Sequence, residues 1–267
     1  MFSLGLWLAA LVPIAVLMLL AWLLSLRLRN VSIVDALWSV MFLLAAACYA
    51  LLGESRPARA LLVLVLVALW AARLAIYIGW RNHGHGEDRR YQQIRSRNNP
   101  GFEWKSLYLV FGVQALLAWI ISLPLLAALH SSAPLGLLDG AGVLLWAVGF
   151  FFEAVGDGQL AHFKADPAHR GQVMDRGLWR YTRHPNYFGE FCLWWGYYLI
   201  AVSAGGWWSL AAPLLMSVLL LKVSGVTLLE QDIAERRPGY KEYVQRTSAF
   251  VPRPPRKLPP QGRSAPA

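Results

Sequence analysis

Polar and cationic side chains stand directly before an apolar run in the segment 176–190, which reads Arg-Gly-Leu-Trp-Arg-Tyr-Thr-Arg-His-Pro-Asn-Tyr-Phe-Gly-Glu. Within it, Asn186 and Glu190 are one helical turn apart and therefore share a face. An ionisable group at bilayer depth costs about 2.5 kcal/mol or more without a partner, so it usually marks a functional cavity. The alternative is a carboxylate at a helix start, favoured only by the helix dipole. We expect a site at this junction.

The composition is too apolar for a typical soluble domain, because 57% of the 267 residues are hydrophobic and only 15% are charged. Apolar runs of about 20 residues, long enough to cross a bilayer, recur along the chain. We predict an all-α integral membrane protein with seven transmembrane helices. The expected spans are Leu4 to Leu26, Val31 to Leu52, Ala60 to Trp80, Leu107 to Leu129, Leu135 to Val155, Tyr187 to Ser203 and Trp207 to Val223.

The basic residues predict the orientation of these spans. Of 25 Lys and Arg residues, 22 follow spans one, three, five and seven, and only Arg56 and Arg59 lie on the opposite side. Positive loops favour the cytoplasm, so we expect the N-terminus outside and the C-terminus cytoplasmic. The first span lacks a basic start and is expected to be retained rather than cleaved.

We expect one membrane domain over residues 1–252, with four N-terminal spans in 4–129 and a C-terminal part in 135–252. The proline-rich segment 253–267 is predicted to be a disordered tail. The Ala- and Arg-rich composition favours a bacterial inner membrane, and we expect a monomer.

The net charge of +10 does not indicate a nucleic-acid partner, because the basic residues are spread over juxtamembrane loops. Membrane lipids or a phosphate-bearing ligand explain them better. No metal is expected, since His83 and His85 lack further convergent ligands. Cys48 and Cys192 are far apart in sequence and predict no disulfide.

Ionisable groups recur in or beside the predicted spans, at Asp35, Arg73, Glu153, Asp157 and Glu190. Their number indicates an internal polar cavity. Lys164 shares a helical face with Asp157, and the alternative is a simple ion pair of Asp157 with Lys164 or with a neighbouring Arg. The loop Glu87-Asp88-Arg89-Arg90-Tyr91 can hold a phosphate and a ribose hydroxyl, or it can be a solvated loop. His184 either donates to a phosphate or caps the break before the sixth span.

The chain resembles a known family in these residues. The run 177–190, with Asp157 and Lys164 before it and Glu230, Tyr240, Tyr243 and 250–252 after it, is similar to the C-terminal domain of the steroid 5-alpha-reductases and their bacterial relatives. The similarity extends to Arg73, Tyr77 and the loop 86–91.

This resemblance implies an enzyme that binds NADPH in a cytoplasm-facing cavity and transfers hydride to the β carbon of an enone, a steroid 3-oxo-4-ene or a similar lipid-soluble substrate. The implied cofactor residues are Arg73, Tyr77, Asp88, Arg90, Asp157, Lys164, Arg170, Tyr181, Arg183, His184, Asn186, Glu190 and Glu230. Lys164 replaces the family's Arg, which keeps the charge but loses the planar fork.

The second span departs from that family, whose members carry a Gln-Glu pair there. The corresponding stretch here contains Asp35 and Trp38, and Trp70 stands near the position of a family Tyr. Asp35 could serve as a protonated donor to the substrate carbonyl. We therefore expect Asp35 and Trp38 to be the catalytic residues.

Two other classes of protein stay open. The isoprenylcysteine carboxyl methyltransferases, which use S-adenosylmethionine, share the Arg-His-Pro-x-Tyr-x-Gly signature of residues 183–189 but are not expected to pair Asn186 with Glu190. A non-catalytic lipid-binding or transport protein would explain the apolar bundle but not the cationic cluster.

Overall fold

The computed structural model describes residues 2–53, 57–223 and 239–257, and these residues are almost entirely helical. The helices are α1 (Leu4–Leu28), α2 (Ile33–Leu52), α3 (Pro57–Asn82), α4 (Arg89–Asn98), α5 (Phe102–Leu129), α6 (Leu137–Ala165), α7 (Pro185–Ser203), α8 (Ala211–Val218) and α9 (Tyr240–Arg246). Within the described ranges there is no β-strand, only an isolated bridge between Thr182 and Ser248. The all-α prediction is confirmed.

Five of these helices, α1, α2, α3, α5 and α6, have the length and apolarity needed to cross a membrane. This supports the prediction of an integral membrane protein. The expected sixth and seventh spans coincide with α7 and with the shorter apolar segment Trp207–Lys222. Helix α6 continues to Ala165, well past its expected end at Val155, because no proline interrupts it before Pro167.

The described helices group into two compact units, and we use these names below. Unit 1 contains the described residues up to Val143 together with Gly196–Leu215. Unit 2 contains Leu144–Trp195 and the described residues from Met216 onward. Both α6 and α7 contribute residues to each unit.

Aromatic side chains mark two levels of unit 1. Trp80 and Trp104, at one end, are 65% and 71% exposed, and Trp207 is 72% exposed. The ring of Trp208, the neighbour of Trp207, lies 5.2 Å from the ring of Phe2. Phe2 comes just before the start of α1, so these tryptophans form a second level at the opposite end of that helix. Tryptophan is enriched at both membrane interfaces, and the leucines exposed along α1 between these levels suit contact with acyl chains.

A buried arginine holds one end of unit 1. Arg59 is only 1% exposed, and its guanidinium forms a two-point ion pair with Asp139 at 2.9 and 3.1 Å. It also donates to the carbonyl oxygens of Ala133 at 2.6 Å and Pro134 at 2.8 Å. The hydroxyl of Ser203 donates to Asp139 at 2.5 Å. Arg59 therefore joins α3, the 130–136 loop, α6 and α7 and is not a surface loop residue.

Candidate functional site

Glycines bring α6 and α7 into close contact in unit 2. A methyl group at Gly189 would lie 2.5 Å from the carbonyl oxygen of Gly149, and one at Gly149 would lie 2.5 Å from that of Gly189. Gly156 meets the ring of Pro185 in the same way, at 3.1 Å. Because the backbones nearly touch, the polar face of α6 lies directly against the start of α7.

This contact pairs an amide with a carboxylate. The Asn186 side-chain amide donates to Asp157 at 3.3 Å, and its oxygen accepts the backbone N–H of Tyr187 at 3.1 Å. One turn further along α7, Glu190 accepts the indole N–H of Trp194 at 3.1 Å. The structure thus brings Asn186 into contact with Asp157, and Glu190 lies one turn further along the same helix.

The carboxylates of the cluster are buried. Glu153, Asp157 and Glu190 are only 3%, 5% and 6% exposed, respectively, and the side chain of Glu153 lies over Gly189. Burying a carboxylate is costly without hydrogen bonds or a compensating charge. Carboxylates are seldom this buried, and three of them on two packed helices favour a functional role.

A cationic pocket lies at the end of α6. Lys164 and Arg170 line a cavity of about 260 Å³ together with Asp166 and His169, so the structure brings two expected cofactor residues together. Lys164 and Asp157 share a face of α6 about 10 Å apart, given a rise of 1.5 Å per residue.

The segment 181–184 is held by the last turn of α9 and by the chain that follows it. Arg183 donates through Nη1 to the carbonyl oxygens of Val244 at 3.1 Å and Thr247 at 2.8 Å. The Thr182 hydroxyl donates to the carbonyl oxygen of Phe250 at 2.7 Å. Arg183 is thus engaged at the C-terminal end of α9, while His184 is 5% exposed and stacks on Tyr187.

The expected disordered tail is ordered at its beginning. The Arg253 N–H donates to the carbonyl oxygen of Tyr181 at 3.0 Å, and the Arg256 N–H donates to that of Arg246 at 2.8 Å. Residue Glu230, expected to contact the cofactor, lies outside the described residues, as does most of the rest of that tail.

Three residues that were not predicted to bind the cofactor also hold the unit 2 site, although Trp179 and Tyr243 belong to the stretches that carry the resemblance. Trp179 donates its indole N–H to the carbonyl oxygen of Gly156 at 2.9 Å. Tyr243 donates its hydroxyl to the carbonyl oxygen of Trp179 at 2.5 Å, and Gln159 accepts the N–H of Leu178 at 2.9 Å. Burial raises the pKa of the Tyr243 hydroxyl, so it remains a donor. No sequence spacing connects these residues, since the bonds depend on tertiary packing.

In unit 1, Asp35 is the centre of a second polar cluster. Its carboxylate accepts Arg90 at 2.7 Å and the Tyr91 hydroxyl at 2.5 Å, and Gln114 donates to that hydroxyl at 3.0 Å. Burial, and to a smaller extent the charge and hydrogen bond of Asp35, raise the pKa of the Tyr91 hydroxyl well above its ordinary value. Asp35 therefore accepts from both of these partners, and its expected role as a donor to a substrate carbonyl stays a prediction.

The other unit 1 candidates lie around this cluster or along α3. Asp88 caps α4 by accepting the N–H of Arg90 at 2.9 Å, and its own N–H donates to Ser32 at 2.7 Å. The Trp38 ring packs against Phe42 at 5.2 Å. Arg73 and Tyr77 are one turn apart on α3, half-buried.

The loop 86–91 is anchored by Glu87. Its carboxylate accepts two hydrogen bonds from Arg95, both at 2.8 Å, and the backbone N–H of Val31 at 2.9 Å. Burial alone would raise the pKa of Glu87, but the bonds from Arg95 and Val31 lower it below its ordinary value. The loop is therefore not simply solvated but fastened to the start of α2.

This geometry predicts a pH dependence. The pKa of a Glu side chain in the unfolded chain is about 4.3, and the pKa of Glu87 in the folded protein is lower. The ionised Glu87 therefore stabilises the fold above about pH 4.3, and this stabilisation is lost as the pH falls through the folded-state pKa. We expect Glu87→Gln to lower the unfolding temperature at neutral pH, and the gap from wild type to shrink as the pH falls below about 4. Thermal unfolding in detergent across this pH range measures the gap. A gap that stays constant would contradict the role of the Glu87 charge.

The fold and the two polar clusters define a helical membrane protein with buried ionisable groups. Residues 21–247 match a family described as "Protein of unknown function (DUF1295)", which is related to steroid 5-alpha-reductase-like proteins. The chain belongs to this family. An uncharacterized protein of Schizosaccharomyces pombe is 26% identical over 266 residues, which cover 87% of this chain and 75% of that protein. No solved structure matches the chain.

Proposed function

We propose that this protein is a membrane-embedded, NADPH-dependent reductase that transfers hydride to the β carbon of an enone, a steroid 3-oxo-4-ene or a similar lipid. The observation that supports this most is the partly buried hydrogen bond from Asn186 to the buried carboxylate of Asp157, with the buried Glu190 one turn away. Paired amide and carboxylate groups in a dry site match the amide and ribose hydroxyls of a dinucleotide. The relationship of the family to steroid reductase-like proteins supports the same reading.

The cations of unit 2 suit the phosphates of this cofactor. Lys164 and Arg170 line one pocket, and Lys164 lies about 10 Å along α6 from Asp157, a separation that a dinucleotide can bridge. We further propose that all seven apolar helices span the membrane, with the N-terminus outside and the C-terminus in the cytoplasm, as the distribution of Lys and Arg indicates. Lys164 and Arg170 then face the compartment that contains NADPH.

The residues of the chain have separate parts in this proposal. When bound, NADPH supplies the hydride. Asp157, Lys164, Asn186 and Glu190 hold the cofactor. In unit 1, the Tyr91 hydroxyl donates to Asp35. We assign polarisation of the substrate carbonyl to this hydroxyl, which would turn its proton from Asp35 to the carbonyl oxygen while Asp35 keeps its bond from Arg90, with Trp38 beside it.

Ligand titration tests the class of reaction. The purified protein in detergent is titrated separately with NADPH and with S-adenosylmethionine while its tryptophan fluorescence is followed. NADPH oxidation is then measured against a panel of 3-oxo-4-ene steroids and other lipid-soluble enones. A response to S-adenosylmethionine alone would indicate a methyltransferase and overturn the reductase. A response to neither would leave the lipid-binding class.

Asn186→Ala and Glu190→Gln are each expected to weaken NADPH binding about tenfold, since a lost hydrogen bond of about 1.4 kcal/mol corresponds to that factor. The measurement is the dissociation constant for NADPH from fluorescence. The matched control is Glu242→Gln, which alters an exposed carboxylate of the same unit and should leave affinity unchanged. Normal affinity in both site variants would show that the cofactor pocket has been misplaced.

Asp35→Ala is expected to spare NADPH binding but to lower turnover by about 100-fold, within the range of a lost acid or base. Tyr91→Phe removes the hydroxyl that donates to Asp35 and should also lower turnover. Both binding and turnover are measured on the same preparations. Turnover that survives in Asp35→Ala would remove Asp35 from the chemistry.

A further inference from the structure

Unit 1 contains a cavity that the proposed reductase site does not use. It has a volume of about 320 Å³ and opens between the last turn of α1, the start of α2, helix α4 and the first turns of α5. The side chains that matter for its chemistry are Ser25, Arg29, Arg95, Phe102, Glu103 and Ser106. It therefore combines charged and hydroxyl groups with an aromatic wall.

One of the cationic residues that line this cavity, Arg29, has an unusual backbone conformation. It ends α1 in the left-handed conformation, with φ of 51°, and is the one non-glycine residue of the described chain with positive φ. Glycine is the usual residue at such a position, because a side chain there strains the backbone. Among the described residues, the Arg29 guanidinium forms no ion pair or hydrogen bond, so its donors are available to a ligand.

The second arginine of the cavity is already compensated. Arg95 forms the two-point pair with Glu87 and lies over the Phe102 ring, 4.5 Å from its centre. Arg95 also lies 3.8 Å from Glu103, the one carboxylate among the lining residues. Arg29 is therefore the lining cation, among the described residues, whose charge is left without a partner, and this charge favours an anion.

Tryptophans place the cavity at the depth of lipid headgroups. Trp22 donates its indole N–H to the carbonyl oxygen of Glu103 at 2.9 Å, and its ring lies 5.4 Å from that of Trp104. Trp104 is largely exposed, and such amphipathic rings sit at the headgroup level of a bilayer. Leu24 and Leu28 of α1 are also exposed next to Arg29, where acyl chains would continue.

We propose that this cavity binds the phosphate headgroup of an anionic phospholipid, with the Arg29 guanidinium as the principal donor. A guanidinium presents a planar fork that matches phosphate oxygens, and juxtamembrane cations attract anionic lipid. Arg29 itself lines the cavity, so its fork can reach a bound phosphate. The same chemistry would accept a free phosphate, so the test separates the two sources.

The experiment uses the full chain in neutral detergent. Phosphatidylglycerol, phosphatidylcholine and inorganic phosphate are titrated separately, and the unfolding temperature gives an apparent affinity. We expect phosphatidylglycerol to stabilise the wild type far more than phosphatidylcholine does. Arg29→Ala should weaken the phosphatidylglycerol affinity about tenfold, the effect of one charged hydrogen bond, whereas Arg29→Lys should keep part of it.

Arg27→Ala is the matched control, since it removes an exposed charge from the same turn but does not line the cavity. It should retain the wild-type affinity. The proposal fails if Arg29→Ala titrates like the wild type, if phosphatidylcholine is equally effective, or if inorganic phosphate alone reproduces the whole shift. Unfolding temperatures without added lipid show whether each variant is folded, and Arg29→Gly supplies a variant that removes the side chain without backbone strain.

Discussion

Arg59→Ala is expected to destabilise unit 1 by about 3–5 kcal/mol, the cost of leaving one partner of a buried ion pair uncompensated. The substitution strands the Asp139 carboxylate, which is 3% exposed, and removes the donors to the carbonyl oxygens of Ala133 and Pro134. Detergent-solubilised protein should unfold at a markedly lower temperature. The free energy of unfolding by added denaturing detergent measures the size of the loss.

A double substitution separates charge from packing at this position. Arg59→Met combined with Asp139→Leu removes both charges and leaves no buried ion without a partner, so it should be less destabilised than Arg59→Ala. Arg73→Ala is unsuitable as a comparison because Arg73 is an expected cofactor residue. If Arg59→Ala unfolds like the wild type, the buried pair does not hold this end of the unit.

The second large effect is expected from Gly189→Ala. Its methyl group would meet the carbonyl oxygen of Gly149 at 2.5 Å and the backbone nitrogen of Glu153 at 2.7 Å, so α6 and α7 would have to separate. Overpacking of this kind costs about 1–3 kcal/mol, and backbone atoms cannot rotate aside as side chains do. Because Asn186 lies on the same turn, the NADPH affinity should fall as well.

Gly158→Ala is the matched control for this prediction. Gly158 is on α6 in the same unit, and a methyl group there meets nothing within 4 Å. Alanine favours helix over glycine, so Gly158→Ala should keep or raise the unfolding temperature. Equal behaviour of Gly189→Ala and Gly158→Ala would contradict the close helix contact. Both variants are compared by thermal unfolding and by NADPH titration.

Helix positions could be predicted from the sequence because each apolar run had to be long enough for a bilayer. The expected ends at Leu52, Leu129 and Ser203 agree with the structure. The end of α6 was missed, since buried polar residues such as Asp157 interrupt the apolar pattern without interrupting the helix. Hydropathy indicates whether a segment lies in an apolar or a polar environment. It does not indicate where a helix ends, because a helix continues until a proline or a capping residue stops it.

The candidate site was only partly predictable. Spacing along one helix indicated that Asn186 and Glu190 share a face, and the resemblance added Asp157. The spacing of residues along the sequence could not indicate that Arg59 pairs with Asp139, because these residues are 80 positions apart and only tertiary packing brings them together. The same holds for the hydrogen bonds that Asp35 accepts from Arg90 and Tyr91.

The hydrogen bond from the Thr182 hydroxyl to the carbonyl oxygen of Phe250 joins residues 68 positions apart in the sequence. The hydrogen bond from Arg183 to Thr247 joins residues 64 positions apart. During synthesis, the corner before α7 therefore cannot close until residue 250 has left the ribosome. Contacts of such long sequence separation form late, because the intervening chain must first be ordered. The nascent protein would thus insert most of its apolar helices before the segment beside Asn186 reaches its final conformation.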